Sequence, residues 1–235
     1  MIDPQRDFYE AGYGSKPGTA ENVIAGMERL LPTERSRRAA DLLHGTTGRF
    51  LDVGCGSGSL IYLLRGQFSD LAGVDIANVQ LDRVRTWSSK LKLQPELYRA
   101  NLDREKIPLP DASVDAAACI VLLEFVVEPE TVLREIARVL RPGGILVASV
   151  GNIASWKNRL RLLLGFDPRT TTFRNALNGG ALHYFTQQTF HETLERTGFS
   201  VEKTACSGRC WRVRKYWPAL LGGDILVRAR RRPKQ

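Results

Sequence analysis

Three glycines at alternate positions, Gly54, Gly56 and Gly58, follow the apolar run RFLDV and lead into SLIYLLRG, whose leucines have helical spacing. A glycine-rich turn between a strand and a helix brings backbone N–H groups to the positive end of the helix dipole, where a ligand can reach the main chain. Two carboxylates accompany the turn: Asp52 near the end of the first run and Asp75 near the end of the next, LAGVDI. An acidic residue at the end of a second strand is placed to accept hydrogen bonds from ribose hydroxyls. The dinucleotide fingerprint GxGxxG would put its third glycine at position 59, but Ser59 stands there and the glycine comes early, at Gly58. Asp52 would repel a pyrophosphate and attract an ammonium group. These features together describe a nucleoside with a cationic amino-acid tail.

The elements that must hold these residues are legible from periodicity. RFLDVG, LAGVDI, ELYRAN, VDAAACIV and ILVASV read as strands, alternating with helical patterns in SGSLIYLLRG, NVQLDRVRTWSSKLK and EPETVLREIARVLRPGG. Asn78 is placed to cap the second of these helices, and Pro129 suits the first turn of the third, with Pro142 and the glycines ending it. TQQTFHETLERTG is a further helix, capped by Thr186 and closed by Gly198, and FSVEKTA and DILVRAR supply two last strands. Strand and helix in alternation predict an α/β fold, a Rossmann-like seven-stranded, mostly parallel sheet with helices on both faces. Residues 1–48 read as an N-terminal helical arm with a loop at GYGSKPG, and residues 49–235 as one domain. An insertion at about 151–185 breaks the alternation after the fifth strand and is expected to face a substrate.

At this point the residues resemble the class I S-adenosylmethionine-dependent methyltransferases. LDVGCGSGSL is similar to their first motif, GVDI to their acidic ribose-binding turn, and the stretch from NLDREKIPLP to LVASVGN to their fourth and fifth strands. The branch most resembled holds the methionine-biosynthesis protein MetW and many small-molecule methyltransferases. The resemblance implies S-adenosyl-L-methionine as cofactor and S-adenosyl-L-homocysteine as product. Carried over by position, it places Asp52, Gly54, Gly56 and Gly58 around the methionine part, Asp75 at the ribose and Ile76 on the adenine. Asn101 and Leu102 would lie at the adenine edge, Ile120 beside the methionine moiety, and Tyr9 and Tyr13 over the cofactor, unless the two tyrosines serve ordinary helix packing. His183 is the candidate catalytic base, or else a histidine that holds its loop. Where quinone O-methyltransferases of this kind carry Glu-x-x-Glu-His, this chain has Val121, Glu124 and Phe125, so no metal is expected.

Methyl transfer from a sulfonium is an in-line displacement, and the protein's main work is alignment with water excluded. The leading expectation is methylation of a small molecule, at O or N rather than C. The arm and the insertion would recognise the acceptor, with Arg169, Phe173, Arg174 and Tyr184 suiting an anionic or aromatic one. Two alternatives stand beside it: an RNA or protein methyltransferase using a basic surface, and a non-catalytic cofactor-binding partner of another enzyme. The net charge of +9 gathers near the C-terminus, at Arg209, Arg212, Arg214, Lys215, Arg228, Arg230, Arg231, Arg232 and Lys234, with a second group at Lys157, Arg159 and Arg161. Such runs are either solvated surface or a seat for phosphorylated substrate, nucleic acid or an acidic membrane. Nucleic acid ranks below the small molecule, because no RNA-binding module is recognisable. The most apolar stretch, AAACIVLLEFVV, contains Glu124 and is shorter than the roughly 20 residues of a membrane span. With no secretory signal and no disulfide framework among Cys55, Cys119, Cys206 and Cys210, a cytoplasmic chain is expected.

Overall fold

Each strand of the sheet alternates its side chains between two helical layers. The structure, a computed structural model, describes residues 3–14, 33–168, 181–207 and 216–233. Seven strands, β1 (Arg49–Val53), β2 (Asp70–Asp75), β3 (Glu96–Arg99), β4 (Val114–Ile120), β5 (Leu140–Gly151), β6 (Phe199–Ala205) and β7 (Asp224–Arg231), form one sheet in the order β3-β2-β1-β4-β5-β7-β6. β7 runs antiparallel to both β5 and β6, and the other pairings are parallel. The described helices are α1 (Pro4–Gly14), α2 (Glu34–Leu43), α3 (Ser59–Leu64), α4 (Asn78–Lys90), α5 (Pro129–Val139), α6 (Trp156–Leu163), α7 (Gln187–Arg196) and α8 (Pro218–Leu221).

One face of the sheet buries Leu51, Val53, Val74 and Val150 against Leu133 and Ile136 of α5 and Phe190 and Leu194 of α7. The other buries Phe50, Ala118 and Val147 against Leu43 of α2, Ile61 of α3 and Trp87 of α4. This is the doubly covered sheet that the alternation predicts. Strand order reverses between β1 and β4, and in an open sheet such a point leaves a crevice at the carboxyl ends of the strands.

Several local expectations change. α4 starts after Ala77, which occupies the N-cap position without a side-chain bond, so Asn78 is its first residue rather than its cap. Glu10 of α1 supplies the cap instead, accepting the N–H groups of Asn78 at 2.6 Å and Val79 at 3.2 Å. α5 ends at Val139, and the chain is already strand by Leu140, ahead of Pro142 and the glycines. α1 runs through Gly12 to Gly14, where a loop was expected. The Thr186 cap of α7 is present and is reciprocated by Thr189. Arg169, Phe173, Arg174, Arg209, Cys210, Arg212, Arg214, Lys215 and Lys234 lie outside the described residues.

Gly58 shows why the turn after β1 needs glycine for packing as well as for ligand approach. Its φ is +78°, and a Cβ there would lie 2.9 Å from Trp87 Cζ2 and 2.9 Å from Val84 Cγ2. Gly58→Ala therefore combines left-handed strain with overpacking of the α3–α4 contact, and a loss of about 2–4 kcal/mol is expected. Urea denaturation of the variant measures it, and an unchanged midpoint would contradict this packing.

Candidate functional site

A cavity of about 380 Å³ lies at the crevice between β1 and β4. Gly54, Gly56, Val74, Asp75 and Ile76 line one side, Ala100 to Asp103 a second, and Ile120, Val121, Leu122, Phe125 and Val126 a third. The remaining side comes from α1, through Gln5, Phe8, Tyr9 and Gly12. Its size falls in the range of pockets that bury small organic ligands, roughly 300–1,000 Å³.

Asp75 organises the entrance loops. Its Oδ2 accepts the Gly56 N–H at 2.8 Å and its Oδ1 the Ala77 N–H at 2.9 Å. Burial pushes its carboxyl above the ordinary value, opposed by those N–H groups. Gly56 has φ +50°, and a Cβ there would meet nothing within 4 Å, so its open side is free for a ligand against the backbone. Val121 has φ +56°, a left-handed conformation that costs a β-branched residue on the order of 1–3 kcal/mol. Its N–H is held by the Ser149 carbonyl at 3.1 Å, which keeps the strained turn in the cavity wall.

Of the sequence candidates, Gly54, Gly56, Asp75, Ile76, Asn101, Leu102, Ile120 and Tyr9 converge on this cavity. Asp52 and Gly58 are not in its lining: Gly58 turns toward α4, and Asp52 is buried on the same face of β1 as Phe50. Tyr13 belongs to α1, but its side chain is outside the described set. Asn101 is committed to the arm, its Nδ2 donating to Asp3 Oδ2 at 3.0 Å and Gln5 Oε1 at 3.1 Å. Asp103, which sequence reasoning missed, accepts Gln5 Nε2 at 2.6 Å and the Val127 N–H at 2.7 Å. Glu10, Gln5 and Asp103 left no signal in the sequence, because each acts only across a tertiary contact.

His183 also lies outside the lining; its Nε2 is 3.1 Å from the Val127 carbonyl oxygen. Glu124 is buried, with Oε1 accepting the Gly151 N–H at 2.8 Å and Oε2 without a hydrogen-bond partner, and burial raises its carboxyl value. His191 is partly buried and its Nε2 is 2.9 Å from Thr204 Oγ1. Among the described residues no group of three or more His, Cys, Asp or Glu could hold a metal ion.

A family model described as a methyltransferase domain matches residues 51–148. The "Probable S-adenosylmethionine-dependent methyltransferase" of Mycolicibacterium smegmatis is 30% identical over 192 residues, 80% of this chain and 67% of that protein. The chain belongs to the class I S-adenosylmethionine-dependent methyltransferases. A phosphatidylethanolamine N-methyltransferase of Cereibacter sphaeroides is 32% identical over 111 residues, 47% of this chain and 54% of that one. The methyltransferase structure from Mesorhizobium loti shares the fold, with a TM-score of 0.59 at 23% identity over 83% of this chain and 96% of that one. Curated relatives are named for methylation at N, C and O alike. The chain spans only about half the length of several of them, 54% and 40% of the first two.

The site suits the cofactor of this class. Asp75 offers carboxylate acceptors beside the cavity, the open side of Gly56 leaves room against the backbone, and Asp52 is buried close enough to Asp75 to feel its charge. Burial, with Asp75 adding to it, pushes the Asp52 carboxyl up to about 7. The unfolded value is about 3.9, so in the window between them the folded chain holds a proton that the unfolded chain has released. Stability is then lost as pH rises from about 4 to about 7 and stays level above. Asp52→Asn is expected to gain on the wild type across that window, by on the order of 2–4 kcal/mol at the top of it. Urea melts along that pH series check this, and parallel curves for the two proteins would contradict it.

Proposed function

We propose that the chain transfers the methyl group of S-adenosylmethionine to a small-molecule acceptor, at oxygen or nitrogen rather than carbon. The observation that carries this reading is the convergence of Asp75, the glycine turn and the arm on one cavity at the strand-order reversal. In it Asp75 takes the ribose hydroxyls, Ile76 packs on the adenine, and Asn101 and Leu102 border its edge. Gly54 and Gly56 lie along the methionine part, with Ile120 beside it and Asp52 as a countercharge to its ammonium group. Tyr9 and Phe8 of the arm cover the cavity. Residues 1–48 act as that arm, and the insertion at about 151–185 meets the acceptor.

When bound, the cofactor supplies an electrophilic methyl group on a sulfonium. The chain's own contribution is positioning and dryness, from the apolar wall of Ile120, Leu122, Phe125 and Val126. The preference for oxygen or nitrogen follows from proton accounting. A neutral amine or an ionised phenol or carboxylate attacks with a lone pair already in hand, whereas a carbon acceptor must shed a proton after attack. Both carboxylates in the lining, Asp75 and Asp103, already accept backbone N–H groups. For an acceptor that loses a proton during attack, His183 is the candidate, with Nε2 at the Val127 carbonyl and Nδ1 as the second ring nitrogen.

Calorimetric titration with S-adenosylmethionine and S-adenosylhomocysteine is expected to show binding of both. Asp75→Ala should weaken it about 10–100-fold, the worth of hydrogen bonds to a charged group. No binding of either by the wild type would overturn the cofactor site. Labelled methyl transfer to a panel of phenols, carboxylic acids and amines, with RNA and protein alongside, tests the acceptor class. Label appearing in RNA or protein alone would contradict a small-molecule acceptor.

A further inference from the structure

α6 carries its apolar stripe on the outside. Trp156, Leu160, Leu163 and, at the C-cap, Leu164 recur at i, i+4, i+7 and i+8, which is one face of a helix. Their exposures are 43%, 46%, 82% and 61%. Asn158, on the opposite side of the helix, is the buried residue, and its Nδ2 donates to the Asn152 carbonyl at 3.3 Å. The helix is therefore docked by its polar side.

The edges of the stripe are basic. On a helical wheel Lys157 falls on one flank and Arg159 on the other, and no acidic residue occurs between Ile153 and Phe166. Lys157 Nζ lies 5.8 Å from the centre of the Trp156 ring, and the Arg161 guanidinium 5.7 Å from that of Phe166, itself exposed. Two more exposed apolar segments meet α6 at the same root. Leu182 and Tyr184 precede Phe185, whose carbonyl accepts the Ile153 N–H at 3.0 Å. Trp217 precedes α8, where the Ala219 carbonyl accepts Asn152 Nδ2 at 2.9 Å.

An outward stripe of tryptophan and leucine between cationic flanks, with exposed Phe166 just beyond it, has the composition of a helix that lies in a membrane interface. Its apolar side chains can enter the boundary between headgroups and acyl chains while lysine and arginine heads reach lipid phosphates. The net charge of +9 adds long-range attraction to an anionic leaflet. We propose that α6, with the neighbouring segments at Leu182–Tyr184 and Trp217, docks the chain on an anionic lipid bilayer. The inference goes beyond the methyl-transfer reading and does not depend on it.

Flotation of the full chain with vesicles of phosphatidylcholine, with and without phosphatidylglycerol, tests it. The chain is expected to float with the anionic vesicles and to detach as salt is raised. The double variant Trp156→Ser/Leu163→Ser, at exposed positions, should keep the wild-type thermal melt and lose about tenfold or more in partitioning. Lys157→Glu/Arg159→Glu should lose the preference for anionic lipid. Failure of the wild type to float, or flotation of the serine variant at the wild-type level, would overturn the proposal. So would a lipid-free dimer in sedimentation equilibrium that the serine variant dissolves, since the stripe would then belong to a second copy.

Discussion

The carboxylate of Asp75 holds two loops at once, and the cavity exists because it does. One oxygen takes the Gly56 N–H from the turn after β1, and the other takes the Ala77 N–H at the start of α4. Those bonds lie beside the crevice where the strand order reverses, so a side chain that closes the backbone also faces the cavity. Its partial burial raises the energetic demand on its hydrogen bonds, because an ionised carboxylate out of water must be satisfied by nearby donors. Asp52, on the next strand and more deeply buried, adds like charge to the same small volume. Two acids crowded in this way favour a ligand that brings positive charge, and the sulfonium and ammonium groups of the family's cofactor do so.

The arm completes the enclosure through polar bonds rather than through a large apolar contact. Glu10 caps α4, a position where negative charge meets the positive end of the helix dipole. Asp3 and Gln5 engage Asn101, and Gln5 also reaches Asp103, which is fixed in turn by the Val127 N–H. An amide at 101 can donate to both arm residues, whereas a carboxylate there would face Asp3 with like charge. The amide at Asn101 thus has its structural partners in this chain's own arm.

The central strands β1, β2, β4 and β5 were legible because each holds a buried run of the β-branched or small apolar composition of a doubly covered strand. The glycine turn and Asp75 were legible because a close backbone approach and an acid at a strand end have few other uses at that spacing. The arm's role was not: Glu10 looks like any exposed glutamate until α4 is folded beside it. The packing demand on Gly58 was hidden for a related reason, since it comes from Trp87 and Val84, far along the chain. The same limit applies to Val121, whose left-handed backbone is imposed by the turn after β4 and leaves no mark in composition.

In the proposed site the Asp75 junction, the arm and the cofactor act as one cooperative unit. Amide hydrogen exchange of the whole chain, with and without S-adenosylmethionine, measures that most directly. Exchange at Gly56, at Ala77 and along α1 is expected to slow together when the cofactor is added, because ordering any one of them stabilises the other two. Protection that left these amides unchanged, or that slowed the turn while α1 exchanged as before, would contradict it.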